Sequence, residues 1–409
     1  MAVMQADVAD WVHSGLAALT GEPDGTPDLS RAAVLSRARA VANQLQAHLD
    51  VSGLSIDAGM LLTGRAALMG LTRRGRISAG GATRLLPGRD GWFALTLSRP
   101  DDLAAIPALI EADAVDDPWH ALAAWTRARP VAEATARARL LGLPAATLGE
   151  ARPGPPVSRG AGPRHAHRGY AGLLVADLSS MWAGPLCGQL LRQAGAEVVK
   201  VESWSRPDGT RGGERRFFEW MNAGKLGYAV DFDQPAGLRE LLAAADVVLE
   251  SSRPAALEGR GLGPADVPAR PGRIWLRITG HGCAGERADW VGFGDDAAVS
   301  GALVAGPGGA GGPVFCGDAI ADPLTGLQAA LAVVESLARG GGEVIELSMA
   351  SVAANYAALP VIPVNGAAAS GPTGAHSPAP RPPAPPREAA PALGQDNQRV
   401  MELMRARAC

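Results

Sequence analysis

"GLLVADLSSMWAGPLCGQLLRQAGAEVVKVE", residues 172–202, sets two unbroken apolar runs on either side of a helical one. GLLVADLS lacks polar alternation, so it reads as a strand buried on both faces. PLCGQLLRQAGA then spaces its apolar residues at three and four, with Gly195 as a stop. EVVKVE is apolar again. Strand, helix and strand in so short a span make one crossover of a parallel sheet.

The pattern repeats downstream in YAVDFD (228–233), PAGLRELLAAA (235–245), DVVLES (246–251) and RIWLRITG (273–280). The expected fold class is α/β: an open, mostly parallel Rossmann-like sheet plus a smaller α+β domain. Ligands of such sheets lie beyond the carboxyl ends of the strands. That places SSMWAGP (179–185), ESWSRPDGTR (202–211), ESSRP (250–254) and TGHG (279–282) on one rim. No GxGxxG follows the first strand and no lone acid follows the second, so the rim does not read as a dinucleotide site.

Bulk properties narrow the function classes. A net charge of −3 over 409 residues, with scattered basic residues, gives no field for nucleic acid or an anionic membrane. Four cysteines stand far apart with no CxxC pair, which suggests neither zinc nor a disulfide framework. No apolar run reaches the roughly 18 residues of a membrane span, and the first residues lack a signal-peptide order. A cytoplasmic location is therefore expected, with no nucleic-acid, membrane or metal partner.

Two Pro/Gly-rich stretches, 149–169 and 369–394, read as linkers, because proline removes a donor and fixes φ. The expected segments are 1–70, a small domain at 71–148, a linker at 149–169 and a large domain at 170–366. A proline-rich linker at 367–394 and a C-terminal helix at 395–409 complete the chain. In CGDAIADPLTGLQAALAVV (316–334), Asp318 and Asp322 stand just ahead of an apolar helix. From the residues alone, Asp322 reads as a helix N-cap and Asp318 as a loop or cap residue.

An ordered set of stretches resembles the class III CoA-transferases of the formyl-CoA transferase and carnitine CoA-transferase type. It runs from VADLSSMWAGPLCGQLLRQAGAEVVKVE through RPDGTRG, FFEWMNAGKLGYAVDFDQPAGLRELLAAADVVLESSRPAALEGRGL and RIWLRITGHGCAG to CGDAIADPLTGLQAALAVVESL. The resemblance implies movement of coenzyme A between an acyl-CoA thioester and a carboxylic acid, with Asp322 as nucleophile. It implies an aspartyl anhydride and an aspartyl thioester, with CoA as substrate and no resident cofactor. A carboxylate of ordinary pKa near 4 is already ionised at neutral pH and needs no general base. By the same resemblance, CoA would be held by Trp182, Ala183, Ser203, Val230, Ser251, Ser252, Arg253 and Arg260, with Phe293 near the thioester. Ser203 stands where family members often carry arginine, which leaves Arg206, Arg211 and Arg260 as the charged anchors. Trp182, Trp204 and Trp290 are read as packing or as walls for a bulky acyl group.

The stretch RDGWFALTLSRPDD…GLPAATLGE (89–150) resembles the family's small domain, which in the family follows the large one. Ahead of it, 12–27 parallels 298–313 and 54–71 parallels 343–359, with Ser36 falling where the second copy has Asp322. Residues 1–70 thus read as a partial, degenerate copy of a large domain. The family implies an interlocked homodimer. SAGGATR (78–84) is either a glycine loop over the nucleophile or a plain turn. Two other readings stand beside the transferase. A racemase of the α-methylacyl-CoA type needs a histidine where Phe293 stands, with His281 as a remaining base. A catalytically weak CoA-binding paralogue is the other.

Overall fold

Continuous apolar runs become buried strands. The computed structural model describes residues 2–166, 169–306, 311–363 and 377–408. The expected domain end at 366, residues 367–376 of the proline-rich linker, and 307–310 of the internal parallel lie outside the described residues. In chain order the strands are β1 (Thr83–Pro87), β2 (Trp92–Thr96), β3 (Ala145–Thr147), β4 (Val157–Gly160), β5 (Leu174–Asp177) and β6 (Glu197–Ser203). They continue with β7 (Leu226–Val230), β8 (Val247–Glu250), β9 (Ile274–Thr279), β10 (Val304–Ala305), β11 (Val314–Phe315) and β12 (Glu343–Ser348).

The large sheet has the order β4-β12-β9-β8-β5-β6-β7. Every neighbouring pair is parallel except β4 with β12. Because successive side chains point to opposite faces, β5 divides its apolar residues between two cores. Val175 joins Leu249 and Leu276 on one face, packed under the helices Ala183–Gln193 and Ala321–Ala338. Leu174 and Ala176 join Val248 and Trp275 on the other, under the helices Ala236–Ala244 and Asn397–Ala408.

Residues 1–70 are helical and belong to the first of these cores. Trp11, Leu16, Leu35, Val41, Leu45 and Leu62 share it with the sheet. The helix Ala33–Leu49 packs directly against Ala321–Ala338. The small domain builds its own core on an antiparallel sheet ordered β1-β2-β3, with Phe93, Leu95, Ile106 and Leu122 at its centre. Asp90 and Gly91 occupy the turn between β1 and β2.

Both stretches read as linkers are more ordered than that reading allowed. The first contains β4, which pairs with β12 through its backbone while its own residues stay exposed. A strand without a buried face leaves no apolar pattern to read. The described part of the second lies against the protein: Pro380 abuts Gly15, and the Pro391 ring and Ala392 carbonyl abut Gly227. The segment then closes the open edge of β7. The Asn397 side-chain carbonyl accepts the Ala229 N–H at 2.9 Å, and its amide donates to the Ala229 carbonyl at 2.9 Å. The Asp396 carboxylate accepts the Gly227 N–H at 2.7 Å. Among the described residues, no helix is long and apolar enough to cross a membrane.

Candidate active site

The turn after β5 is fixed by buried charge. Lys225 Nζ lies 2.8 Å from Asp177 Oδ2 and donates to the Pro185 carbonyl at 2.9 Å and the Asn222 side-chain oxygen at 3.1 Å. Lys200 pairs with Asp208 at 2.7 Å and also donates to the Ser179 carbonyl. Asp208 in turn accepts the Met181 N–H at 3.2 Å. All four ionic side chains are buried. Burial pushes the Asp177 carboxyl upward, but Lys225 and Lys200 outweigh it and hold the group below the usual range. Met181 takes a positive φ of 73°, strained for a methionine. Gly184 has no Cβ because one would sit 2.1 Å from the Ser179 Cβ.

This turn delivers Trp182 and the first amide of the helix Ala183–Gln193 to the Asp322 side. Asp322 lies in the first turn of the helix Ala321–Ala338 and follows Ala319, another strained position at φ 42°. It is not an N-cap. Its carboxyl group lies close to Ala183 and Gly294, the first residues of two other helices, whose backbone amides favour the anion. A Cβ on Gly294 would stand 2.4 Å from Asp322 Oδ2, so only glycine lets the carboxylate approach that amide. Asp322 is enclosed by protein yet keeps a partial opening to solvent, as an attacking group requires.

The carboxyl of Asp322 is pushed up to about 7 by burial; Arg65 pulls it down, Asp295 adds to the rise, and the two amides favour the anion. This corrects the expectation of an acid at its ordinary value, which took no account of enclosure. Its neighbours share the effect. Burial and the Asp318 charge raise Asp295 to about 6, and burial raises Asp296 to about 7. Asp318 is not a loop or cap residue. It is completely buried and pairs with Arg65 at 2.6 Å.

Arg65 comes from the helix Ala58–Met69, in the front segment. Its guanidinium carbon lies 5.6 Å from the Trp182 ring centre and 5.8 Å from that of Phe217. The 78–84 turn also reaches this place: Thr83 Oγ1 lies 3.5 Å from Asp295 Oδ2, and Gly80 sits beside the Arg65 fork. From the small domain, Thr96 donates to Asp296 at 3.0 Å. The surroundings of Asp322 are thus completed by residues 65–96 of the same chain.

The other residues expected to hold CoA are spread along the rim. Ser203 ends β6 and Val230 ends β7, paired across the sheet. Ser251 follows β8 and accepts the Ser180 N–H at 3.1 Å, while the Ser252 hydroxyl donates to Glu250 at 3.2 Å. Arg253 and Arg206 are exposed. Arg211 is already used inside the protein, forked onto Glu202 at 2.8 and 2.6 Å and stacked on Phe218. Arg260 pairs with exposed Asp233 at 3.0 Å, a contact water weakens. Phe293 precedes Gly294 and caps its helix, donating its N–H to Asp296 at 3.0 Å. Trp204 is covered on one side by Gly394, and Trp290 meets His281 edge-on. His281 is buried, and enclosure with Arg139 and Arg287 nearby lowers it to about 3, so it stays neutral.

Sequence reasoning missed Arg65. Its signal was a single charge in AGMLLTGRAALM, a helix otherwise without ionisable side chains.

Comparison with known proteins finds similarity over the large sheet and the segments that follow it. The family model for CoA-transferase family III matches residues 170–389, more than half of the chain. A succinyl-CoA–D-citramalate CoA-transferase of Chloroflexus aurantiacus is 32% identical over 191 residues, covering 43% of this chain and 48% of that protein. The human succinyl-CoA:glutarate CoA-transferase is 34% identical over 210 residues, covering 45% of this chain and 48% of that protein. A crystal structure of a CaiB/BaiF family protein from Brucella suis superposes with a TM-score of 0.41 at 28% identity, covering 46% and 55% of the two chains. The chain spans about half the length of the curated relatives it matches. On the extent of the family match, the chain belongs to CoA-transferase family III.

Proposed function

We propose that the chain moves coenzyme A between an acyl-CoA thioester and a carboxylic acid, with Asp322 as the nucleophile. The observation that carries this reading is the partly open Asp322 carboxyl set against Gly294 at the start of a second helix, at the carboxyl rim of the sheet. One Asp322 oxygen attacks the thioester carbonyl, the C–S bond breaks, and CoA thiolate leaves an aspartyl anhydride. The thiolate attacks the aspartyl carbonyl and expels the donor acid, giving an aspartyl–CoA thioester. An acceptor carboxylate then displaces the thiolate, which finally attacks the acceptor's acyl carbon and returns the Asp322 carboxylate. The two amides would hold the aspartyl oxygen as charge develops on it.

The relatives' names put short dicarboxylic and hydroxy acids among reasonable acceptors to test. Ser203, Val230 and Ser251–Arg253 would line the CoA groove, with Arg253 and Arg206 free to meet phosphate and Arg260 able to exchange Asp233 for it. A racemase is less well supported, since Phe293 supplies no base and His281 is held neutral by enclosure and two arginines. Residues 1–70 fit a partial large-domain copy, because Ala33–Leu49, bearing Ser36, packs on the helix that bears Asp322. Mass measurement in solution tests the homodimer.

Hydroxylamine added during turnover should convert the anhydride or thioester at Asp322 into a hydroxamate found by peptide mass. Failure to mark position 322 with any acyl-CoA of a broad panel would sink the reading. The pH profile gives a second expected result. The reactive form is the carboxylate, and its pKa is raised to about 7. Activity is therefore lost as pH falls below 7, by about tenfold per unit, and is level above it. A flat kcat/KM for acyl-CoA between pH 5 and 8 would contradict this.

A further inference from the structure

We propose that Arg65 is the positioning residue that supplies the counter-charge for Asp322, and that the front segment is thereby part of the active site. The inference rests on the reading of Asp322 as nucleophile. Arg65 pairs with Asp318, four positions before Asp322, and lies 5.6 Å from the Trp182 ring centre. Asp295 accepts the Ala319 N–H at 3.0 Å and follows the Gly294 that abuts Asp322, so the Arg65 charge favours the anions of all three acids. Asp296 stands beside them but is tied to Thr96 and the Phe293 amide. The helix Ala183–Gln193 faces Asp322 with the Ala183 amide.

The guanidinium is held in place on several sides. Asp318 grips one nitrogen at 2.6 Å, the Trp182 and Phe217 rings lie within 6 Å, and Gly80 leaves room beside the other nitrogen. Arg65 still keeps about a fifth of its side chain open, whereas Asp318 keeps none. A rigid cation in a water-poor site acts strongly on a neighbouring anion. Asp318 consumes part of that charge, and this balance has a use. Asp322 alternates between an anion and a neutral acyl derivative during the cycle, so a full unshared cation would hold the anion too firmly to attack. An absent one would leave the acid protonated.

Four variants test this: Arg65→Met, Arg65→Lys, Asp318→Asn and the double variant Arg65→Met/Asp318→Asn, which removes the pair without leaving a buried charge. Two readouts are used: the pH profile of kcat/KM, and direct titration of Asp322 by carboxyl-labelled aspartate NMR, assigned with Asp322→Asn. In Arg65→Met and in the double variant, the Asp322 midpoint should move up by about one pH unit or more. The rate at pH 7 should drop about fivefold or more with it, and Arg65→Lys should restore part of both. Asp318→Asn, which frees the cation, should move the midpoint down. A double variant with wild-type midpoint and rate would overturn the proposal, because Arg65 would then serve only to neutralise Asp318. The titration reads the charge of Asp322 in the free enzyme, independently of whether acyl-CoA ever acylates it. A midpoint indifferent to Arg65 therefore overturns this inference alone, and an Asp322 never labelled by acyl-CoA overturns the proposed function.

Discussion

Replacement of Asp322 by asparagine is expected to lower thioester exchange by ~10⁴-fold or more, the scale of losing a covalent nucleophile. The amide keeps the size of the side chain and still fits against Gly294. It cannot form an anhydride. Because Asp322 is enclosed with a pKa raised to about 7, removing its charge relieves repulsion from Asp295. The variant should therefore unfold at the same denaturant concentration as the parent, or a higher one. Equal exchange rates for the two proteins, measured with labelled CoA and a series of carboxylic acids, would refute the assignment.

The second large effect concerns stability. Lys225→Met should destabilise the fold by about 3–5 kcal/mol, because it strands Asp177 as a buried anion without its principal partner. The loss comes from removing one partner only. Replacing Asp177 and Lys225 together by apolar residues of similar volume should cost far less. The pair also sets a pH dependence. The folded carboxyl of Asp177 is depressed, so its contribution is present above about pH 4, the unfolded value, and fades as pH falls below it. Urea unfolding at pH 7 and at pH 3.5 measures both effects, and the gap between parent and Lys225→Met should narrow at the lower pH. A loss under about 1 kcal/mol at pH 7 would show that water reaches Asp177.

The sheet was readable because parallel strands covered on both faces leave continuous apolar text. The two apolar runs of 172–202 and the later ones each became a strand within a few positions of the expected bounds. The edge strand β4 was not readable, since it buries no side chain and follows two prolines. Asp322 was singled out through resemblance rather than pattern, and its raised pKa could not have been read at all. That value depends on Asp295, Arg65 and two amides that only folding brings together. Arg211 looked like a phosphate anchor because its partner Glu202, nine positions earlier, reads as an ordinary strand end. Asp318 looked like a cap because Arg65 lies 253 positions away.

The way Asn397 and Asp396 occupy the hydrogen-bonding groups of β7 bears on how the molecule behaves in a crowded solution. Without residues 391–397, β7 would offer bare donors and acceptors to the same strand of a neighbour, the usual seed of sheet-to-sheet polymerisation. The C-terminal tail can thus be regarded as a built-in guard against self-association, separate from any part in turnover.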